Sequence, residues 1–118
     1  EDTVYLLGDF SFYGKEKSTE ILSALQGHIR LVMGNHDTRS TQWYRDCGFE
    51  EVYDCPILFE SFWLLSHEPL YLNNLFGHVH GNPAYADASS QSCCVCVERT
   101  DYRPISFEEV KRRMGLIL

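Results

Sequence analysis

The feature that most constrains this chain is a set of short apolar runs, each ending at a small residue that is followed at once by oxygen or imidazole donors. Four such clusters occur: Gly8-Asp9, Gly34-Asn35-His36-Asp37, Ser66-His67 and Gly77-His78-Val79-His80. Runs this short are strands rather than helices, and the donors then sit at strand tips. In an open α/β sheet the crevice beyond the carboxyl ends of the strands is where distant segments meet around a ligand. Four of the five histidines lie in these clusters, and His28 is the exception.

The segments between the clusters fix the fold class as α/β. Thr3 to Leu7 reads as a strand ending at Gly8-Asp9, and Glu16 to Gln26 as a helix with Ile21, Leu22 and Leu25 on one face, stopped by Gly27 and followed by His28. Ile29 to Met33 is a second strand breaking at Gly34, so the three elements predict a βαβ unit with parallel strands and a right-handed crossover. Asp9 and Asn35 then emerge on the same edge. A short helix is predicted over Ser40 to Cys47, stopped by Gly48. Val52-Tyr53, Ile57 to Glu60 and Phe62 to Leu65, punctuated by Pro56 and Ser61, predict a hairpin running into Ser66-His67. Leu75-Phe76 leads into the glycine-flanked histidine pair, Cys93 to Val97 reads as the last strand, and Ser106-Phe107-Glu108-Glu109 has capping-box spacing for a final helix with Lys111, Arg112 and Arg113 near its end. No repeat or linker divides the chain, so residues 1–118 form one domain.

Composition narrows the partners. A formal net charge of -7 argues against binding nucleic acid through its phosphates, and an anionic substrate would need bound cations to offset the charge. No apolar stretch approaches the roughly 20 residues that span a bilayer. Five cysteines, an odd number without a signal peptide, suggest a reducing cytoplasm rather than a disulfide framework. Cys93, Cys94 and Cys96 alternate with Val95 and Val97 as small hydrophobes on a buried strand more naturally than as a zinc site.

The donor types suggest the chemistry. Asp supplies an anionic oxygen able to bridge two cations, Asn a neutral oxygen and His a nitrogen, a mixture suited to Mn, Fe, Zn or Mg. Two such ions roughly 3.5 to 4 Å apart hold a hydroxide for in-line displacement at phosphorus, which makes phosphoester hydrolysis the natural reaction. His36 is the candidate general acid toward the leaving oxygen, with Asp37 fixing its tautomer. Taken singly, Gly8-Asp9 is a common turn and His67 a common core histidine. Their ordered co-occurrence is the specific signal.

That order, Gly8-Asp9, Gly34-Asn35-His36-Asp37, His67 and Gly77-His78-x-His80, resembles the calcineurin-like metallophosphoesterase family, in its small single-domain bacterial and phage form. The resemblance covers nearly the whole chain and includes Ser66-His67-Glu68-Pro69 and Asp101-Tyr102-x-Pro104-Ile105-Ser106. It implies a layered α/β fold with mixed sheets flanked by helices. It further implies a hydrolase acting on small phosphomonoesters or phosphodiesters through a hydroxide held at a dinuclear site. Asp9 is then the bridging carboxylate, Asn35, His67 and His78 complete one metal position, and His80 serves the other. His36 is the acid near the leaving group and Asp37 its partner.

One departure accompanies the resemblance. The family opens with a strand ending in Asp-x-His, and no such motif precedes Gly8, so the family's first strand is expected to be absent and the domain incomplete at its N-terminus. The second metal position then keeps only Asp9 and His80, and an uncovered strand favours a homo-oligomer. The alternatives are a catalytically weak or inactive metal-binding remnant and a plain interaction domain with structural histidines. Substrate specificity is expected to reside in the loops Ser11 to Lys15, Tyr71 to Asn74 and Asn82 to Ser92.

Overall fold

Strand β1 (Thr3–Leu6), helix α1 (Lys15–Ser23) and strand β2 (His28–Val32) form a β–α–β unit in which β1 and β2 run parallel, Leu6 opposite Leu31. The computed structural model describes residues 2–60, 62–70, 73–84, 86, 88–89 and 91–117. Glu1, Ser61 of the expected hairpin, and Tyr71, Leu72, Tyr85, Asp87 and Ser90 of the expected specificity loops lie outside the described residues, as does Leu118. Helix α1 ends three residues before the expected last residue, Gln26. Of the three apolar residues expected on its face only Leu22 is buried, and Leu25 lies beyond the helix and is exposed. His28 is not a helix-end residue but the first of β2, where its Nδ1 lies 2.9 Å from Glu50 Oε2.

Helix α2 (Thr41–Cys47) starts where Ser40 Oγ accepts the Trp43 N–H at 3.0 Å and stops at Gly48, whose φ of 128° favours glycine. The chain then enters β3 (Glu51–Tyr53), which pairs parallel with β2 and completes a three-stranded sheet in the order β1-β2-β3. Val52-Tyr53 therefore belongs to the first sheet and not to the hairpin. The hairpin itself is β4 (Ile57–Phe59) against β5 (Trp63–Ser66), with Phe59 opposite Trp63. Strands β6 (Asn74–Phe76) and β7 (Ser92–Cys94) add in parallel, giving a mixed second sheet of order β4-β5-β6-β7. The strand expected over Cys93 to Val97 ends at Cys94, because Val97 opens a 3-10 turn whose carbonyl accepts the N–H groups of Thr100 and Tyr102.

The alternation of side chains along these strands divides the apolar residues into layers. One core lies where the two sheets meet: Leu7 and Val32 from the first, Trp63, Leu65, Leu75 and Cys93 from the second. Helix α3 (Phe107–Arg113) adds Val110, and Met114 follows it into the same core. Phe107 meets Phe59 and Trp63 edge-on at 5.2 and 5.1 Å. The opposite face of the first sheet, Ile29, Leu31 and Val52, packs with Leu22 of α1 and Tyr44 and Cys47 of α2. A small third cluster holds Phe76, Val79, Cys94 and Cys96. Each fully buried aliphatic or aromatic side chain contributes about 1.5–3 kcal/mol relative to exposure. Cys93, Cys94 and Cys96 are buried among apolar side chains, as expected of small hydrophobes. Ser106 Oγ accepts the Glu109 N–H at 3.1 Å, the expected cap of α3. No helix among the described residues is long and apolar enough to cross a membrane.

Candidate metal centre

The tips of β1, β2, β5 and β6 meet at one edge, where the two sheets abut. Leu7 O, from the first sheet, faces His67 Nδ1, from the second, at 2.9 Å. A carbonyl only accepts, so the ring donates from Nδ1, and a neutral His67 presents a lone pair at Nε2. Around Nε2 stand Asn35 Oδ1 at 2.9 Å, His78 Nδ1 at 2.9 Å and Asp9 Oδ2 at 3.4 Å. The His67 and His78 rings meet edge to face, 4.8 Å between centroids. His67 is only 6% exposed, whereas Asp9 and His78 are half-buried and Asn35 is exposed.

With Nε2 bare, a hydrogen bond from His78 Nδ1–H satisfies it; with Nε2 protonated, it donates toward Asn35 Oδ1 and Asp9 Oδ2 instead. Oxygen and nitrogen donors about 2.1 Å from a shared divalent ion are about 3.0 Å apart at octahedral angles and about 3.4 Å apart at tetrahedral ones. The separations from Nε2 of 2.9, 2.9 and 3.4 Å lie close to those values, the shorter two being hydrogen-bond lengths as well. Among the described residues no set of three or more His, Cys, Asp and Glu side chains has the arrangement of a ready-made metal site. The converging donors instead touch one another directly, and one of them is an amide oxygen. Their chemistry, two imidazoles, a carboxylate and an amide at one sheet edge, is a donor set that a divalent cation fits.

Two glycines make the convergence possible. A Cβ on Gly8 would lie 2.2 Å from His67 Nδ1, and one on Gly34 would lie 2.5 Å from Asp9 Oδ1. Gly8 also has φ of 95°. Of the six non-glycine residues with positive φ among the described residues, three are candidate ligands: Asp9 at 52°, His78 at 63° and His80 at 51°. Such conformations cost roughly 1–2 kcal/mol each and persist where surrounding structure imposes them, commonly at functional sites.

Asp37 departs from its expected role. Its carboxylate accepts the N–H groups of Asp9 and Gly34 on Oδ2, both at 2.7 Å, and of Phe10 on Oδ1 at 2.8 Å. With both oxygens taken by backbone and the side chain buried, Asp37 ties the loops after β1 and β2 together. It does not hold the His36 ring. His36 is exposed; its N–H donates to Asp9 Oδ1 at 3.0 Å, and its ring meets Phe12 edge-on at 5.4 Å. His80 also stands apart from the cluster. Its Nδ1 lies 2.6 Å from Glu98 Oε2, its N–H donates to Cys96 Sγ, and its side chain is 67% exposed. A carboxylate on Nδ1 leaves Nε2 as the outward atom, an orientation common for metal-binding histidines. The hydrogen bond from His80 holds the Glu98 carboxyl below its ordinary range, while burial and the Cys94 thiol push the Cys96 thiol up to about 12. The Arg39 guanidinium stacks 5.0 Å over the Trp43 ring.

A cleft of about 210 Å³ opens beside the cluster, lined by Asn35, Asp54, Cys55, Ser66, His67 and Glu68. Sequence reasoning missed Leu7 O, Glu98 and the cleft residues Asp54 and Cys55. Backbone carbonyls carry no sequence signal, and Glu98 reaches His80 only because the chain turns at Val97. Asn35, Ser66, His67 and Glu68 of the cleft were within recognised motifs.

No family model and no curated protein matches the chain. A solved structure, that of the protein of unknown function AQ665 from Aquifex aeolicus, is similar to it with a TM-score of 0.65 and 30% sequence identity, over 97% of this chain and 77% of the other. With that identity over that share of both chains, this protein belongs to the same family as the Aquifex aeolicus protein.

Proposed function

We propose that this protein is a metal-dependent phosphoester hydrolase of the calcineurin-like metallophosphoesterase type. The observation that carries the reading is the convergence of Asn35, His78 and Asp9 on His67 Nε2 from four strand tips of two sheets. Two sheets packed face to face, with α1 and α2 against the outer face of the first, accord with the layered arrangement of that family. Asp9, Asn35, His67 and His78 would hold a divalent ion, with Asp9 shared toward a second one near His80. When bound, such ions make water nucleophilic near neutral pH and withdraw charge from phosphoryl oxygens.

The chain's own residues do the rest. Leu7 O and Asp37 hold His67 and the two loops in register, so the donors are positioned before any ligand arrives. His36 presents a solvent-facing imidazole at the rim, able to hold a proton and pass it to the departing oxygen.

The pairing of His80 with Glu98, away from the cluster, favours a second reading: a single-ion binding domain without turnover. Elemental analysis of protein purified without chelator, joined to turnover of bis(p-nitrophenyl) phosphate with added manganese, separates the two. Bound metal with turnover lost in His67→Ala supports the hydrolase, and metal without turnover supports the second reading. Absence of metal after incubation with Mn, Zn or Fe overturns both.

A further inference from the structure

Beside the candidate acid stands an aromatic side chain that the fold leaves almost wholly in water. Phe12 is 80% exposed and the adjacent Tyr13 is 60% exposed. Single exposed apolar side chains are ordinary on protein surfaces. Two observations set Phe12 apart.

The loop that carries it is built. Ser18, fully buried in α1, donates its hydroxyl toward Ser11 Oγ at 3.0 Å and Tyr13 O at 3.3 Å, and Ser11 Oγ also accepts the Tyr13 N–H at 3.0 Å. These bonds grip the chain on both sides of Phe12, fixing the residue that faces solvent. The ring is also placed at the site rather than elsewhere on the surface. Its centroid lies 5.4 Å from that of His36, with the planes inclined at 62°. The two rings form a corner at the rim, where the leaving alcohol of a phosphoester would pass.

We infer that Phe12 is a specificity residue that stacks on a planar aromatic group of the leaving alcohol, so that the preferred substrates are nucleoside or aryl phosphoesters. The inference rests on the hydrolase reading above. A flat ring face suits another π-system, and bases stack on aromatic side chains because every base has a π-face. Charge disfavours the other apolar partners: a chain of net charge -7 is repelled by anionic lipid surfaces and by nucleic-acid polymers, while the few charges of a small phosphoester would be offset by the cations of the hydrolase reading.

The test compares kcat/KM for adenosine 5′-monophosphate with that for ethyl phosphate, two alkyl leaving groups, by release of inorganic phosphate. The ratio is expected to favour the nucleotide and to fall about tenfold in Phe12→Ala, with recovery in Phe12→Trp. A ratio that is the same in all three proteins overturns the inference and leaves the hydrolase reading standing. A second arm needs no turnover. Saturation-transfer NMR with free adenosine and the protein as purified should show transfer to the purine protons in wild type and its loss in Phe12→Ala. Equal transfer to both proteins, or none to either, overturns the inference. Failure of every phosphoester to turn over, with purine contact intact, overturns the hydrolase reading instead.

Discussion

Gly8 and Asp37 decide whether the candidate ligands can meet, although neither is a donor to the cluster. Substituting Gly8→Ala places a methyl 2.2 Å from His67 Nδ1 at a backbone φ of 95°. The imidazole must move off Leu7 O, and alanine must occupy the left-handed region. Strain and clash together amount to about 2–4 kcal/mol, so urea unfolding should show a lower midpoint and metal uptake should fall with it. Asp37→Asn tests a different point. One carboxylate oxygen becomes an NH₂ group facing backbone N–H donors, leaving a buried donor unsatisfied at a cost of about 2–4 kcal/mol. Had Asp37 been the orienting partner of His36, the same substitution would spare stability and lower only turnover. Unfolding midpoints of Asp37→Asn beside His36→Asn distinguish these roles, with a large loss expected in the first and little change in the second.

At the level of strands and helices, residues legible in the sequence were those whose placement follows from regular backbone. Asp9, Asn35, His67 and His78 could be found because each follows a strand, and parallel neighbours bring their ends together. The roles of Asp37 and His80 could not, because direction in a turn is not set by spacing. His78 and His80 are two residues apart and would share a side in an extended strand, but φ values of 63° and 51° turn the chain, sending one ring to His67 and the other to Glu98. Val97 leaves the sheet for the same kind of reason, since its carbonyl is captured by a local turn. The outer pairing of β2 with β3 has its own testable consequence. Glu50 accepts from Arg30 Nε at 2.7 Å and lies 2.9 Å from His28 Nδ1, and the Arg30 guanidinium first, then His28, holds its carboxyl below the ordinary 4.5. A carboxyl lowered by folding contributes stability that is present above 4.5 and is lost as pH falls below it. Thermal unfolding of Glu50→Gln should therefore lose part of the acid-side decline seen in wild type, with the two curves offset above pH 5. Because these groups are exposed, added salt should shrink the difference.

For the whole molecule, the candidate centre lies on the seam between two sheets that otherwise meet through apolar packing. Asp9 and Asn35 come from the first sheet, His67 and His78 from the second, and Leu7 O to His67 Nδ1 crosses the seam. An ion held by donors from both sheets binds the folded chain and has no comparable site in the unfolded one, so it stabilises by mass action: about 2.7 kcal/mol at a hundredfold excess over Kd. For a domain of 118 residues that corresponds to a rise in Tm of roughly 10 °C. Manganese or zinc added to chelator-treated protein should raise Tm by this order, and EDTA should reverse it. Asp9→Asn removes the anionic donor while keeping an oxygen, and should cut the rise to a small fraction without unfolding the protein. A mutant in the surface pair Lys15–Asp46, remote from the seam, should keep the full rise. A Tm indifferent to every divalent ion tried would mean that the four donors are joined only to each other, and the stability of the seam would then rest on its apolar core and the Leu7–His67 hydrogen bond.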